Sequence, residues 1–598
     1  MDISVVSGTY NRLQYLQKMV ASVRVSLGGV HGLRHELVIV DAGSTDGTLE
    51  WLKEQPDVRL VEHGTLLGAV RAFNDGAAAA MGDYVVLAND DVEFLGDGVL
   101  WAWVFMQTRL DVGMGCFYQD RHLPDKPVSK MHVELMPCAV DGMQASRPYG
   151  QVCIVPRRLG DLCGWWGDYL HTYGGDNELS SQIYEAGYRV EPLYRGTGDA
   201  PHHLDDPALG CCIHDNAPDD DLRRINNIDG AQDPRAVRGH HPDSWAWGRK
   251  WRRRTARGWL VGPEVRPAPT VGFEVARRER IVYLPIFEQG WPVQKEQKRG
   301  LREALARRGP VWEIDYVSLG GGAMDEIVRA CRTLRPALVL CQLHGPTPVG
   351  PAEVREIRAR APGAWLVNWN GDYWPDNLLS EEGIKLARAF DLQLTVNRSV
   401  LEEYRKQGIN AAYWQIGWEP DGVGHEPGDR CDVVFLANGY SKERRNLVGK
   451  LRSLPYLFRL WGNGWPEGWA VGQCTYDFVT ACKAYRGARF SIGDSQWPDS
   501  GFVSNRVMQA LAAGGSALCH QWFRGMEDLG LRDGETCVIW ASFDELREKL
   551  AHYHSDEEGR RRIAEAGERL ALERHSFDRR VEELLAMRPG EGQEEDWR

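Results

Sequence analysis

The chain has 598 residues, 43% hydrophobic and 26% charged, with 71 basic against 84 acidic residues and a net charge of −13. Such a length exceeds one ordinary core, so two or more domains are expected. The acidic balance argues against a general nucleic-acid binder, although it leaves room for a local basic patch. No apolar stretch approaches a membrane span, and the chain enters a strand directly without a basic and apolar leader. A cytoplasmic protein, or one peripheral to a membrane, is therefore expected. The 13 cysteines are scattered without paired C-x-x-C spacing and read as reduced, buried thiols. Cys211-Cys212-Ile213-His214 invites a zinc reading, but vicinal cysteines chelate one ion poorly.

The first third alternates strand and helix. Ile3 to Ser7 is a short apolar strand ending in Gly8-Thr9-Tyr10-Asn11-Arg12, and a helical pattern follows from Leu13 to Val23. Glu36 to Val40 is a second strand, ending in Asp41-Ala42-Gly43-Ser44-Thr45-Asp46; a helix starts at Thr48. Val58 to Glu62 is a third strand, and a helix from Ala69 to Met81 leads into the strand Tyr84 to Ala88. That strand stops at Asn89-Asp90-Asp91. Adjacent carboxylates there suit a hard divalent cation such as Mg²⁺ or Mn²⁺; they also suit a solvated turn with a helix cap. The alternation predicts a parallel sheet with crossover helices, which binds ligands at the carboxyl ends of its strands. Thr9 to Arg12, Asp41 to Asp46 and Asn89 to Asp91 all fall at that one edge.

These segments carry a resemblance. TYNR, VDAGSTDGT, GAVRAFNDGAAAAMGDY and LANDDVEF resemble, in order and spacing, the motifs of family 2 glycosyltransferases with the GT-A fold, over residues 1–215. The resemblance implies a nucleotide-sugar site, with Thr9, Tyr10 and Arg12 by the nucleoside and Asp41 on the base beside Ser44. Arg71, Asn74 and Gly76 would line the nucleotide cleft. It also implies a metal site at Asp91, with Asn89 and Asp90 beside it; the family's D-x-D has Asn89 at its first position here. Tyr173-Gly174-Gly175-Asp176-Asn177-Glu178-Leu179 resembles the acidic acceptor-site motif, which makes Asp176 the general base. Gly175 stands where the family has an acidic residue. Capping of the helix is the alternative role for Asp176. His203 would be the metal-binding histidine, with His202 or His214 as alternatives.

From Asp215 to about Arg280 the periodicity breaks down, as at a domain junction. Within it, Trp245 to Trp259 interleaves tryptophans with arginines and lysine. This segment reads as a linker helix with its tryptophans packed and its arginines solvated. Contact with nucleic acid or with an anionic membrane surface is the alternative.

The second half restarts the alternation at Arg280. Strands are expected in RIVYLPIF, VWEIDYV, ALVLCQL, AWLVNWN and DLQLTV, separated by helices. This makes a complete doubly wound domain, and another begins at Asp432. SNRVMQALAAGG, residues 504–515, and the closing helix near His575 to Leu585 resemble GT-B glycosyltransferases of the group 1 and CgeB-like families. The Glu common after the Arg in those families is absent, with Met508-Gln509 in its neighbourhood. The resemblance implies a metal-free diphosphate site with Gly439, Arg444 and Arg445 after the first strand, and Ser504, Asn505 and Arg506 at a helix N-terminus. Asp372 is the candidate base there, with His344 as the alternative.

The expected fold class is α/β: a GT-A domain with a Rossmann-like mixed sheet at 1–215, a linker at 216–279, and a GT-B pair of Rossmann-like domains at 280–425 and 426–598. The expected activity is bifunctional transfer from UDP- or GDP-sugars to a hydroxyl of a saccharide, glycolipid, protein or modified DNA base. The first site would be inverting and Mn²⁺- or Mg²⁺-dependent, the second metal-independent. Two rivals are a chain with one catalytic half and one scaffold, and a carbohydrate- or nucleic-acid-binding protein on degenerate transferase folds.

Overall fold

The computed structural model describes residues 1–121, 130–170, 174–216, 242–255, 258–269, 272, 278–286, 293–345, 348–371, 375–415, 417–418, 426–472 and 478–589. The chain divides into two compact units, Met1–Arg278 and Glu279–Arg598.

The first unit is built on a seven-stranded sheet. Its order is Arg189–Pro192, Val112–Cys116, Cys153–Pro156, Tyr84–Leu87, Ile3–Thr9, His35–Asp41 and Val58–Glu62. Ile3–Thr9 pairs in parallel with His35–Asp41 and with Tyr84–Leu87, while Cys153–Pro156 runs antiparallel. The central strands are buried along both faces, as their unbroken apolar runs require. Register sets the edge: Thr9 lies beside Asp41, and Val6 beside Leu87, so Asp90 and Asp91 emerge just past the same line.

The helix Ala69–Ala79 packs so tightly on this sheet that a Cβ on Gly76 would come within 2.4 Å of Val6. Gly76 thus serves helix-on-sheet contact. Gly98–Thr108 is buried on every side except at its last residue, so it lacks the 3.6-residue stripe that betrays a surface helix. Truncating core residues such as Val6, Leu87 or Phe73 costs about 2–5 kcal/mol each.

A second sheet lies beside the first. Its order is His203–Leu204, Met131–His132, Tyr118–Arg121, Cys212–Asp215 and Val92–Phe94. Leu135–Val140 and Met143–Pro148 form a hairpin whose Asp141-Gly142 turn has φ of 51° and 72°, the left-handed pair of a type I′ turn.

The segment read as a junction folds onto this unit from residue 242. Pro242–Lys250 is a helix, and Arg252–Thr255 pairs with Gly258–Val261. Trp247 is buried in the unit's core. The arginines divide: Arg253 bonds Glu264, while Arg252 and Arg254 face solvent.

The second unit contains two parallel sheets. One runs Val311–Glu313, Ile281–Leu284, Leu338–Cys341, Trp365–Asn370, Leu392–Thr395, Ala411–Tyr413. The other runs Phe458–Trp461, Cys431–Leu436, Ala488–Gly493, Ala517–Gln521, Val538–Trp540. The closing helix Phe577–Ala586 buries Phe577, Val581 and Leu584 against the first of these sheets. All twelve described cysteines are unpaired, and eleven are buried. Among the described residues no helix is long and apolar enough to cross a membrane.

Candidate active site

The first three polar loops of the first unit are knitted together at the carboxyl edge of its sheet. Asn11 takes φ of 53°, a left-handed conformation that asparagine tolerates, and turns the chain into the helix Leu13–Leu27. Its N–H donates to Ser44 Oγ at 2.9 Å, and its Oδ1 accepts from the Thr45 N–H at 2.7 Å. Asp46 accepts from the Leu13 N–H at 3.1 Å. Asp41 Oδ1 accepts from the Gly43 and Ser44 N–H groups, both at 3.0 Å. Among the described residues Asp41 Oδ2 is buried without a hydrogen-bond partner, as suits a carboxylate that accepts a ligand N–H.

The opening charge cluster sits beside these loops. Thr9 Oγ1 donates to Asp90 Oδ2 at 2.8 Å. Arg12 Nη1 donates to Asp90 Oδ1 at 2.8 Å and to Asp91 Oδ2 at 3.2 Å. All three ionic side chains are at most 10% exposed, so their interactions are poorly screened. Burial, then the neighbouring Asp90, pushes the Asp91 carboxyl above the usual range against the pull of Arg12; Asp215 adds to the effect. Among the described residues Asp91 Oδ1 is buried with no hydrogen-bond partner. One cation serves two carboxylates here, and a third carboxylate is nearby. Asn89 is half-buried at the strand end, and Tyr10 is half-buried between Thr9 and Asn11.

Arg71 and Asn74, placed in the nucleotide cleft by resemblance, have other partners. Arg71 is exposed and pairs with Asp75 at 2.6 Å. Asn74 accepts from the Trp166 N–H at 3.0 Å and donates to the Trp166 carbonyl at 2.8 Å and to Asp168 at 3.2 Å.

The helix Gly175–Glu185 carries the second carboxylate pair. Its N-cap is Gly174, with φ of 82°, so Asp176 does not cap it. Asp176 is half-buried and accepts from the Asn177 N–H at 2.8 Å. Desolvation outweighs that bond and pushes its carboxyl up to about 6, with a small contribution from Glu134. Glu178 is fully buried and saturated. It accepts from Tyr169 Oη at 2.6 Å, Trp251 Nε1 at 2.7 Å, Gln182 Nε2 at 2.9 Å, and from Lys250 Nζ. Burial works to raise the Glu178 carboxyl, but the bonds from Lys250, Tyr169 and Trp251 prevail and hold it below the usual range. Two carboxylates two residues apart thus differ in state: Asp176 is poised near neutrality, and Glu178 is a fixed anion.

The histidines are less convergent. His203 is exposed and pairs across the second sheet with His132, ring centroids 6.2 Å apart. Three strands separate its edge from Val92–Phe94, which follows Asp91, so the two edge strands are roughly 19 Å apart at ordinary strand spacing. The sheet order does not bring His203 to Asp91. His202 is exposed on the same edge strand's approach. His214 stands on Cys212–Asp215, directly beside Val92–Phe94 and opposite Glu93, with Nδ1 4.0 Å from Asp120. Asn216, just beyond, donates its N–H to the Asp91 carbonyl at 2.9 Å. Among the described residues no group of three or more His, Cys, Asp or Glu side chains is arranged to hold a metal. A hard divalent cation fits the free Asp91 oxygen as a one-carboxylate site that the ligand's own oxygens would complete.

In the second unit, Arg444 lies at the carboxyl end of Cys431–Leu436 with its guanidinium already committed. Nε and Nη2 donate to the two oxygens of Asp494 at 2.8 and 3.0 Å, and Nη1 to the Asn438 carbonyl at 3.0 Å. Arg445 is exposed and bonds the Tyr440 carbonyl at 3.0 Å. Gly439 makes room for Trp465, whose ring would lie 2.5 Å from a Cβ. Ser504 caps the helix Asn505–Ala513, accepting from the Arg506 N–H at 3.4 Å. Asn505 and Arg506 are half-buried on its first turn, and the Arg506 guanidinium has no hydrogen bond or ion pair among the described residues. His344 is half-buried after Leu338–Cys341; Asp372 lies outside the described residues.

Comparison with known families decides the class. Residues 4–123 match the model of glycosyl transferase family 2, and residues 443–586 match that of a glycosyl transferase-like family. The chain carries two glycosyltransferase domains. The family 2 match falls on the mixed α/β sheet of the first unit, and the glycosyl transferase-like match on the last parallel, Rossmann-like sheet of the second. No curated protein sequence matches the chain. Among solved structures, S. aureus TarS residues 1–349 matches at 16% identity, covering 39% of this chain and 66% of that one, with a TM-score of 0.28. Its complex with UDP-GlcNAc matches at 16%, covering 37% and 59%, with a TM-score of 0.28. Anabaena Alr3699/HepE with UDP and glucose matches at 13%, covering 52% and 100%, with a TM-score of 0.36. The chain spans under two thirds of the TarS chains it matches.

Several residues that meet Glu178 or Asp91 carry little or no signal at their own positions in the sequence. Lys250 and Trp251 reach Glu178 from 72 and 73 positions away. Asp215 and Asn216 come to Asp91 only because their strand pairs with Val92–Phe94. The signal available for the first pair was a cation and an indole donor amid an otherwise acidic chain. For the second there was none.

Proposed function

We propose that the family 2 domain transfers a glycosyl group from a nucleotide sugar to an acceptor hydroxyl with inversion, using Asp176 as general base. The observation that carries this is the Asp176 carboxyl, half-buried at the start of its helix and pushed up to about 6, where a base is both ionised at neutral pH and able to take a proton. The acceptor oxygen attacks the anomeric carbon as Asp176 removes its proton, and the bond from that carbon to the diphosphate breaks. Asp41, with Oδ2 unpartnered among the described residues, is suited to accept from the N–H of a base, and Thr9, Tyr10 and Ser44 would lie beside the nucleoside. Arg12 holds Asp90 and Asp91 in place. Asp91 would hold a divalent cation, Mn²⁺ or Mg²⁺, with Asn89 and the neighbouring His214 and Asp215 supporting it in preference to His203. When bound, that cation would supply positive charge to the departing diphosphate. UDP- and GDP-sugars are the donors proposed.

For the second domain we propose a metal-independent site at the carboxyl edge of its last sheet. Ser504, Asn505 and Arg506 would receive the diphosphate at a helix N-terminus, with Gly439 and Arg445 nearby. Arg444 supports a second reading: its guanidinium is spent on Asp494, so this half could be an acceptor-binding scaffold. A panel of nucleotide sugars given to the full-length Asp176→Asn variant separates the two. Residual metal-independent transfer supports a second active site, and none supports the scaffold.

A further inference from the structure

We propose that Asn74 is a positioning residue for the Asp176 carboxylate, acting through Trp166 and Gly175, and not a contact to the donor nucleotide. This rests on the reading of Asp176 as the base. The amide of Asn74 is fully engaged: Oδ1 takes the Trp166 N–H, and its two N–H groups go to the Trp166 carbonyl and to Asp168. The two ends of one residue's backbone are thereby fastened to the helix Ala69–Ala79.

That fastening holds a segment which would not adopt its shape unaided. Gly164 has φ of 83° and Trp165 φ of 53°. For a bulky residue like Trp165 such a backbone is strained. Trp165 is pinned from the other side: Nε1 donates to Asp161 at 2.8 Å, and its ring covers Gly160, where a Cβ would lie 2.4 Å from it. The result is to lay the Trp166 ring between two elements. It meets Phe73, the neighbour of Asn74, at 4.3 Å between centroids. On its other side it presses on Gly175, where a Cβ would fall 2.1 Å from Trp166 Cε3.

Gly175 immediately precedes Asp176. The ring therefore fixes the backbone from which the carboxylate projects, and its bulk explains why glycine occupies a position where the family carries an acidic side chain. Trp166 is 7% exposed, so it also keeps water from that side of the first turn. Among the described residues the other groups facing Asp176 are Glu134, Tyr149 and Cys153, with the Asn177 N–H. None of them comes from the helix of Asn74, whose influence must pass through the ring.

Asn74→Ala and Trp166→Phe in the full chain test this, Trp166→Phe serving if the first does not fold. Release of UDP or GDP from a UDP- or GDP-sugar is followed across pH, and binding of UDP and GDP is measured by calorimetry. The expected result is a roughly tenfold fall in kcat, unchanged donor KM and nucleotide affinity, and an acid limb moved down from near pH 6 toward the ordinary carboxylate range. A weakened nucleotide affinity with kcat unaltered, or an acid limb unmoved in both variants, overturns the proposal. Asp176→Asn is run alongside: if it keeps full transfer, the reading of Asp176 is wrong, whatever Asn74 does.

Discussion

Two arginine–aspartate clusters at the ends of parallel strands, one in each unit, solve the same electrostatic problem differently. In the first unit Arg12 is divided between Asp90 and Asp91, with Asp215 close enough to disfavour the Asp91 anion. Negative charge is in surplus, and among the described residues one Asp91 oxygen has no hydrogen-bond partner. In the second unit Arg444 forms a closed bidentate pair with a single carboxylate, Asp494, and each satisfies the other. The first arrangement leaves one carboxylate oxygen unpartnered among the described residues; in the second both carboxylate oxygens are taken by the guanidinium. A buried ion pair therefore says little about function until its charges are counted: the incomplete cluster can take a ligand, and the complete one holds loops together.

This contrast can be broken by experiment. The largest effect is expected from Asp176→Asn, which should lower transfer by the first domain 10²–10⁴-fold, the usual worth of a general base. Turnover by the intact variant measures this, and full activity would remove the inverting mechanism. Next, Glu178→Ala should destabilise the first unit by about 1–3 kcal/mol, because it leaves the Tyr169 and Trp251 donors without their acceptor, while the half-exposed Lys250 returns to water. Thermal unfolding followed at the tryptophans reads it; an unchanged midpoint would mean that the segment from residue 242 is held by packing alone.

A pH profile sharpens the same point. Asp176 must be ionised to act, and its carboxyl is pushed up, so kcat/KM should fall as pH drops through about 6. The sign for stability is opposite to the usual aspartate case. A raised carboxyl favours the protonated fold, so this group costs stability as pH rises from about 4 to about 6. Glu178, held low, contributes stability that is present at neutral pH and is lost as pH falls through its lowered value. The smallest effect belongs to the second unit. Arg506→Ala should raise the KM of any metal-independent reaction, while Arg444→Ala should lower the unfolding temperature instead. Steady-state kinetics and calorimetry separate them.

Much of the fold was legible because the sheet strands are apolar runs with polar stops. Ile3–Thr9, His35–Asp41 and Val58–Glu62 all begin and end within about two residues of where the sequence puts them. The parallel strands of the second unit are legible for the same reason. Gly98–Thr108 was not, since a helix buried all round has no period to read. The polar residues local to each strand end were legible, because turn chemistry and carboxylates cluster there. What pairs with them was not. Arg444 and Asp494 are 50 positions apart, and no spacing rule links them. The resemblance implies His203 as the metal-binding histidine, with His202 or His214 as alternatives, and strand order, which only the fold reveals, puts His214 on the strand next to Val92–Phe94. Asn74 belongs to a motif that resembles a nucleotide cleft, and only the Trp166 backbone discloses its other use.

The most direct test is nucleotide-sugar turnover by the intact chain and by Asp91→Ala, with Mn²⁺ and with EDTA. The unfinished cluster at Arg12 predicts transfer that Mn²⁺ stimulates and EDTA removes in the intact chain, with that component absent from Asp91→Ala and any metal-independent transfer preserved. Metal-stimulated transfer that survives in Asp91→Ala would contradict the assignment of that cluster as the cation site.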